Sequence, residues 1–156
     1  MAAIEKFFGE DEIKERVERL AQDIAGTVPG DVVIVGLLKG CFVFLADLVR
    51  ALHRVGANPE VEFMRLSSYG LEKTSGGLVH LIGDVSTDVS GRKILLVDDI
   101  VDTGRSVAYA RAMLEQRCRR LLDLYAGGQT EPARGRRSVG LHWIRHRRCL
   151  HRRLRH

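Results

Sequence analysis

Thirteen consecutive residues, Ile94-Leu95-Leu96-Val97-Asp98-Asp99-Ile100-Val101-Asp102-Thr103-Gly104-Arg105-Ser106, hold three carboxylates, two hydroxyl side chains, a glycine and an arginine. The apolar start predicts a buried strand that delivers the adjacent carboxylates Asp98 and Asp99 to the edge of a sheet. A short loop then opens a helix, where free backbone N–H groups beside small hydroxyl residues make a site for phosphate. Carboxylates so near would repel the phosphate itself. They make sense if they face hydroxyl groups or a hydrated magnesium ion on the same ligand, and a sugar phosphate satisfies both halves. A strand end followed by a helix cap at Asp102 or Thr103 would need only one such residue. A receiver-type phosphorylation site also pairs acids, but on an early strand and without a Thr-Gly-Arg-Ser cradle after them.

The elements that must position these groups are legible on either side. Asp11 to Ala25 has Ile13, Val17, Leu20, Ala21 and Ile24 on one helical stripe, ended by Gly26 and Pro29-Gly30. Val32-Val33-Ile34-Val35 is a β-branched run suited to a strand buried on both faces. A second helix follows Lys39-Gly40, with Phe44, Leu45, Leu48, Val49 and Leu52 toward the sheet. Val61–Leu66 predicts a strand, Ser67–Gly77 a mobile loop, Leu78–Ile82 a further strand, Lys93–Val97 a strand and Arg105–Gln116 a helix. Alternation of strand and helix implies an α/β fold, a mainly parallel sheet with helices on both faces. Ligands then bind beyond the carboxyl ends of the strands, at Leu38–Gly40 and Asp98–Ser106. Lys39 reads either as a ligand group at that edge or as an ordinary solvated lysine.

Composition narrows the class. The 156 residues are 45 % hydrophobic and 29 % charged, as in a soluble single domain, and no apolar run approaches the ~20 residues of a membrane span. Met1–Asp11 is acidic and lacks the pattern of a secretory signal. Cys41, Cys118 and Cys149 are an odd set at no metal-like spacing, so free thiols in a reducing cytoplasm are expected. The net charge of +5 conceals two halves. Residues 1–116 carry thirteen Lys and Arg against eighteen Asp and Glu; residues 117–156 carry twelve arginines, no lysine and two acids.

The run from Ile94 to Ser106 resembles the phosphoribosyl-pyrophosphate signature of type I phosphoribosyltransferases, and the likeness extends from about Ile4 to Gln116. Leu38-Lys39-Gly40 is similar to the pyrophosphate loop of that family. Arg65-Leu66-Ser67-Ser68-Tyr69 is similar to the start of its lid, and Ser86–Ser106 resembles the hypoxanthine–guanine branch. The resemblance implies transfer of 5-phosphoribose from phosphoribosyl pyrophosphate to a 6-oxopurine base, hypoxanthine or guanine, with Mg2+ as cofactor and a homo-oligomer as an option. It assigns Asp98 and Asp99 to the ribose hydroxyls and the magnesium shell, and Asp102 to the base acting at the purine nitrogen. Asp102, Thr103, Gly104, Arg105 and Ser106 would wrap the 5′-phosphate. The Leu38–Lys39 peptide would be cis, with Leu38, Lys39 and Gly40 on pyrophosphate, while Ser68 and Tyr69 would close the lid.

After Gln116 the likeness stops, which divides the chain into a 1–116 core and a basic 117–156 tail expected to be poorly ordered, with the family's C-terminal strands missing or altered. The family's Lys-Pro-Ser turn and its aromatic-plus-Asp segment for the purine are absent, leaving the purine-binding residues unknown. Permitted codons for Arg117–His156, read one nucleotide later, can spell TCTL, GKPS and GFGIDDVYIVGYG in order, similar to those missing elements. Codons of GC-rich genes for Gly, Ala, Val and Asp become arginine codons out of phase, which accounts for arginine without lysine. The alternative is a non-catalytic remnant, or an RNA-binding relative using the basic tail. His142, His146, Cys149 and His151 have zinc-like spacing but only one cysteine. Leu121–Tyr125 is expected to add at most one strand beside Ile94–Val97, with irregular chain beyond Ala126.

Overall fold

A computed structural model describes residues 9–69, 78–101, 104–128 and 142–148. In chain order the elements are α1 (Glu10–Thr27), β1 (Val32–Leu38), α2 (Phe42–Arg54), β2 (Glu60–Tyr69), β3 (Leu78–Gly83), β4 (Lys93–Val101), α3 (Arg105–Glu115), β5 (Arg120–Gly128) and β6 (His142–Arg148). The six strands form one sheet in the order β3-β2-β1-β4-β5-β6. The inner strands β2, β1, β4 and β5 are parallel, and β3 and β6 close the two sides antiparallel. The α/β layering anticipated from the alternation of periods is therefore present, with an antiparallel strand at each edge.

The period-2 geometry of β1 and β4 sends neighbouring side chains to opposite faces, and both faces are covered. Ile34, Leu95, Val97, Leu122 and Leu124 pack with the α1 stripe Val17, Leu20, Ala21 and Ile24 and with Leu45, Leu48 and Leu52 of α2. Val33, Val35, Leu37, Ile94, Leu96 and Leu121 pack on the other face with Val107, Ala110 and Leu114 of α3. Glu10, Asp11 and Glu12 fill the first turn of α1, where the helix dipole favours negative charge. Phe44 and Val49, expected toward the sheet, are only partly buried against this core.

Three expectations about extent are corrected. Strand β2 runs through Ser67, Ser68 and Tyr69, placed above in a loop, because β3 pairs antiparallel with Leu66–Tyr69 and gives those residues a ladder. Strand β4 continues to Val101, paired with β5 through Ile100↔Gly127 and Val101↔Gly128, so Asp98 and Asp99 lie within the strand rather than beyond its end. The chain beyond Ala126 is not wholly irregular: β5 reaches Gly128 and β6 pairs with it, Leu121↔Arg147 to Tyr125↔His142. The expectation weighed only apolar content. Backbone pairing answers to a different need, since an edge left open presents a row of unbonded N–H and C=O groups.

Candidate functional site

The carboxyl ends of β1 and β4, neighbours in the sheet, bring the two predicted ligand regions together. Their register aligns Gly36 with Val97, which sets the Leu38–Gly40 turn alongside Asp98 and Asp99. The Leu38–Lys39 peptide is cis, as the resemblance implied. Gly40 stands directly against Asp99: a β-carbon there would lie 2.5 Å from Oδ2, 2.6 Å from Oδ1 and 2.7 Å from Cγ of that carboxylate. The side chain that follows the turn, Cys41, is buried.

Electrostatics at this edge are unusual for carboxylates. Asp98 is pushed up to about 6, chiefly by burial and further by the bond and the charge of the Asp99 carboxylate. The backbone N–H of Asp99 donates to Asp98 Oδ1 at 2.9 Å and partly offsets that rise. Burial, and then the charges of Asp98 and Asp99, push the Cys41 thiol up to about 12. A thiol so placed stays protonated and non-nucleophilic at neutral pH.

Across the opening, Gly104 caps α3 in the left-handed region at φ 73°, a conformation open to glycine at little cost. Arg105 and Ser106 begin the helix, Arg105 exposed and Ser106 half-buried, so α3 opens a few residues after the end of β4. Asp102 and Thr103 lie outside the described residues. Ser68 and Tyr69 end β2, the strand on the other side of β1. Two residues not singled out from sequence shape the site. A β-carbon on Gly36 would stand 2.7 Å from Leu45 Cδ2 and 2.9 Å from Cys41 Sγ, so this glycine lets the start of α2 fold back over β1. A lone glycine inside a β-branched run was the available signal. Cys41, which fills that space, had none beyond its place after Gly40.

The donor set suits a hard cation. Two adjacent carboxylates offer oxygen ligands without a closed cage, the arrangement in which magnesium keeps several waters and shares a substrate's phosphates. No group of three or more His, Cys, Asp and Glu able to hold a metal occurs among the described residues.

The sequence pattern of the family described as Phosphoribosyl transferase domain matches residues 9–121. The chain belongs to the phosphoribosyltransferase family. Among curated relatives, the hypoxanthine-guanine phosphoribosyltransferase of Dictyostelium discoideum is 41% identical over 115 residues, covering 72% of this chain and 64% of its own length. That of Aquifex aeolicus is 48% identical over 97 residues, covering 61% and 53%. The chain thus spans between about half and two-thirds of the length of these relatives. A solved structure of Trypanosoma cruzi hypoxanthine phosphoribosyl transferase superposes with TM-score 0.72 at 33% identity, covering 88% of this chain and 75% of the other. A Staphylococcus aureus hypoxanthine phosphoribosyltransferase, at 23% identity and TM-score 0.74, shares the fold. The superposed share of this chain exceeds what residues 9–121 alone supply.

Proposed function

We infer that this chain transfers the 5-phosphoribosyl group of phosphoribosyl pyrophosphate to hypoxanthine or guanine, giving IMP or GMP and pyrophosphate. One observation carries the reading: the Asp98–Asp99 pair, the Leu38–Gly40 turn and the opening of α3 converge on one sheet edge, in a chain whose relatives are named for this reaction.

The C1′–oxygen bond to pyrophosphate breaks as C1′ bonds to a purine ring nitrogen, and the ring proton passes to Asp102. Thr103, Gly104, Arg105 and Ser106 hold the 5′-phosphate with the first N–H groups of α3. Asp98 and Asp99 orient the ribose hydroxyls, and backbone N–H groups of Leu38, Lys39 and Gly40 receive the leaving pyrophosphate. Magnesium, bound through water to Asp98 and Asp99, would neutralise pyrophosphate as it departs. The oxocarbenium-like centre at C1′ would be captured by water, so Ser68 and Tyr69 close over it.

Cys41 and Cys118 are buried thiols rather than half-cystines, which supports a cytoplasmic setting. Phe42, Val43 and Phe63, exposed beside the pyrophosphate turn, support a homo-oligomer. The core is 1–116 and the basic tail 117–156. For the Trypanosoma cruzi relative, the C-terminal region has been examined for its role in oligomeric state and enzymatic activity, and in this chain that region carries the arginine-rich departure.

Calorimetry with phosphoribosyl pyrophosphate and magnesium tests the reading. The chain should bind, and the double variant Asp98→Asn/Asp99→Asn should lose at least about tenfold in affinity, the scale of one strong charge-assisted contact. Equal binding by both would remove the role given to the pair.

A further inference from the structure

The pyrophosphate turn and the Asp99 carboxylate are packed against each other, and the contact has a consequence for binding. The Asp99 carboxylate lies across the α-carbon of Gly40, with all three of its terminal atoms 2.5–2.7 Å from where a β-carbon would stand. Asp99 is carried by β4, hydrogen-bonded to β1 on one side and to β5 on the other. The turn is tied down by Cys41, whose buried sulfur fills the space left by Gly36, and whose carbonyl accepts the Leu45 N–H at 2.8 Å. Two glycines therefore interlock the edge: Gly36 admits the Cys41 thiol, and Gly40 admits the Asp99 carboxylate.

We propose that Asp99 is a positioning and gating residue for the pyrophosphate turn, its carboxylate set against Gly40 so that the turn accepts an anion only when a divalent cation neutralises that charge. The proposal rests on the phosphoribosyl-transfer reading and adds a coupling within it. A carboxylate in contact with an anion-binding turn repels the anion across a few ångströms of partly desolvated space, where the interaction is far stronger than in bulk water. A cation at Asp99 reverses the sign of the field on the turn. Cation and pyrophosphate then bind with positive coupling through one side chain, and each must raise the affinity for the other equally. Gly40 is the steric condition: any larger residue drives the carboxylate and the turn apart.

The test is binding of inorganic pyrophosphate, with magnesium and with chelator, to the full chain, to Asp99→Asn and to Gly40→Ala. The wild-type chain should bind pyrophosphate with magnesium and at least about tenfold more weakly without it. Asp99→Asn keeps the shape and removes the charge, so it should bind metal-free pyrophosphate about tenfold better than wild type and lose most of the dependence on magnesium. Gly40→Ala should weaken binding in magnesium. A residue that served only as a cation ligand would, on conversion to Asn, lose affinity in magnesium and gain none without it, and that outcome overturns the gating role. Gly40→Ala binding like wild type would overturn the steric condition. No binding of pyrophosphate by wild type even with magnesium would overturn both the gating and the phosphoribosyl-transfer reading, whereas wild-type binding with no gain in Asp99→Asn sinks the gating alone.

Discussion

At the scale of single residues, Asp98 is held where a carboxylate is least comfortable. Its carboxyl is half-buried beside Asp99 and is raised to about 6 from an ordinary 3.8. The folded state therefore binds the proton more tightly than the unfolded chain does. The stabilising effect of that proton is fully present below about pH 4 and is lost as pH rises through about 6. Asp98→Asn removes the charge and keeps the shape. The variant should melt higher than the parent at pH 8, with the advantage vanishing near pH 4; thermal unfolding at the two pH values checks it, and a difference independent of pH would contradict the cause given. A substitution that stabilises the fold while weakening the ligand would mark Asp98 as a residue kept for binding. Its place at the carboxyl end of β4 was legible because two adjacent acids at the end of an apolar run have few structural uses. The contact between Asp99 and Gly40 was not, since it depends on how closely β1 and β4 carry their ends past one another.

At the scale of elements, the parts read most reliably were those whose periodicity is dictated by burial on two faces. The runs Val32–Val35 and Ile94–Val97 appear where their patterns put them, as does the α1 stripe from Val17 to Ile24, whereas Ile13, read onto the same stripe, stays exposed in the first turns of the helix. Elements without apolar alternation in the sequence escaped: the end of β2 at Ser67–Tyr69 and the whole of β6 carry none to announce them. Strand β5 is an intermediate case. Its Leu121, Leu122 and Leu124 are core residues, yet Asp123 between them is the one buried charged residue among those described. Period 2 sends Asp123 to the face covered by α3, and Arg111 of α3 reaches it with Nη2 at 2.5 Å from Oδ2. The pair is the cost of placing an acid in a strand that must face a helix. Arg111→Ala would remove this ion pair from a buried carboxylate and should destabilise the chain by about 3 kcal/mol, the low end for breaking such a pair because Arg111 is partly exposed. Denaturant unfolding measures this, and Arg111→Ala combined with Asp123→Leu should recover most of the loss. A single variant within 1 kcal/mol of the parent, on the ~1 kcal/mol scale of an ordinary substitution, would show that α3 and β5 are held by their apolar contacts alone.

At the scale of the whole molecule, the chain divides by chemistry more sharply than by architecture. One sheet runs from β3 to β6, but the three groups that would hold phosphoribosyl pyrophosphate come from β1, β4 and α3, inside the 9–121 stretch that matches the family. That body is acidic, whereas the segment beyond Gln116 holds twelve arginines. On the proposed reading, binding of the sugar phosphate and recognition of the purine are separable in this chain. A ligand held at one end without a partner positioned at the other gains no proximity advantage, and aligned reactants can be worth about 7–11 kcal/mol of barrier. The chain should accordingly bind phosphoribosyl pyrophosphate with magnesium but convert hypoxanthine or guanine slowly, if the arginine-rich segment arises from a shifted reading frame. A version with the frame restored from Arg117 onward should transfer the phosphoribosyl group at least about a hundredfold faster, and Asp102→Asn in that version should lose a factor of about a hundred or more, the usual contribution of a positioned general base. Release of pyrophosphate in the presence of either purine, followed for the two versions side by side, is the measurement. Equal rates would mean that the tail as it stands reads the base, and the shifted-frame account would fall while the phosphoribosyl-transfer site would stand.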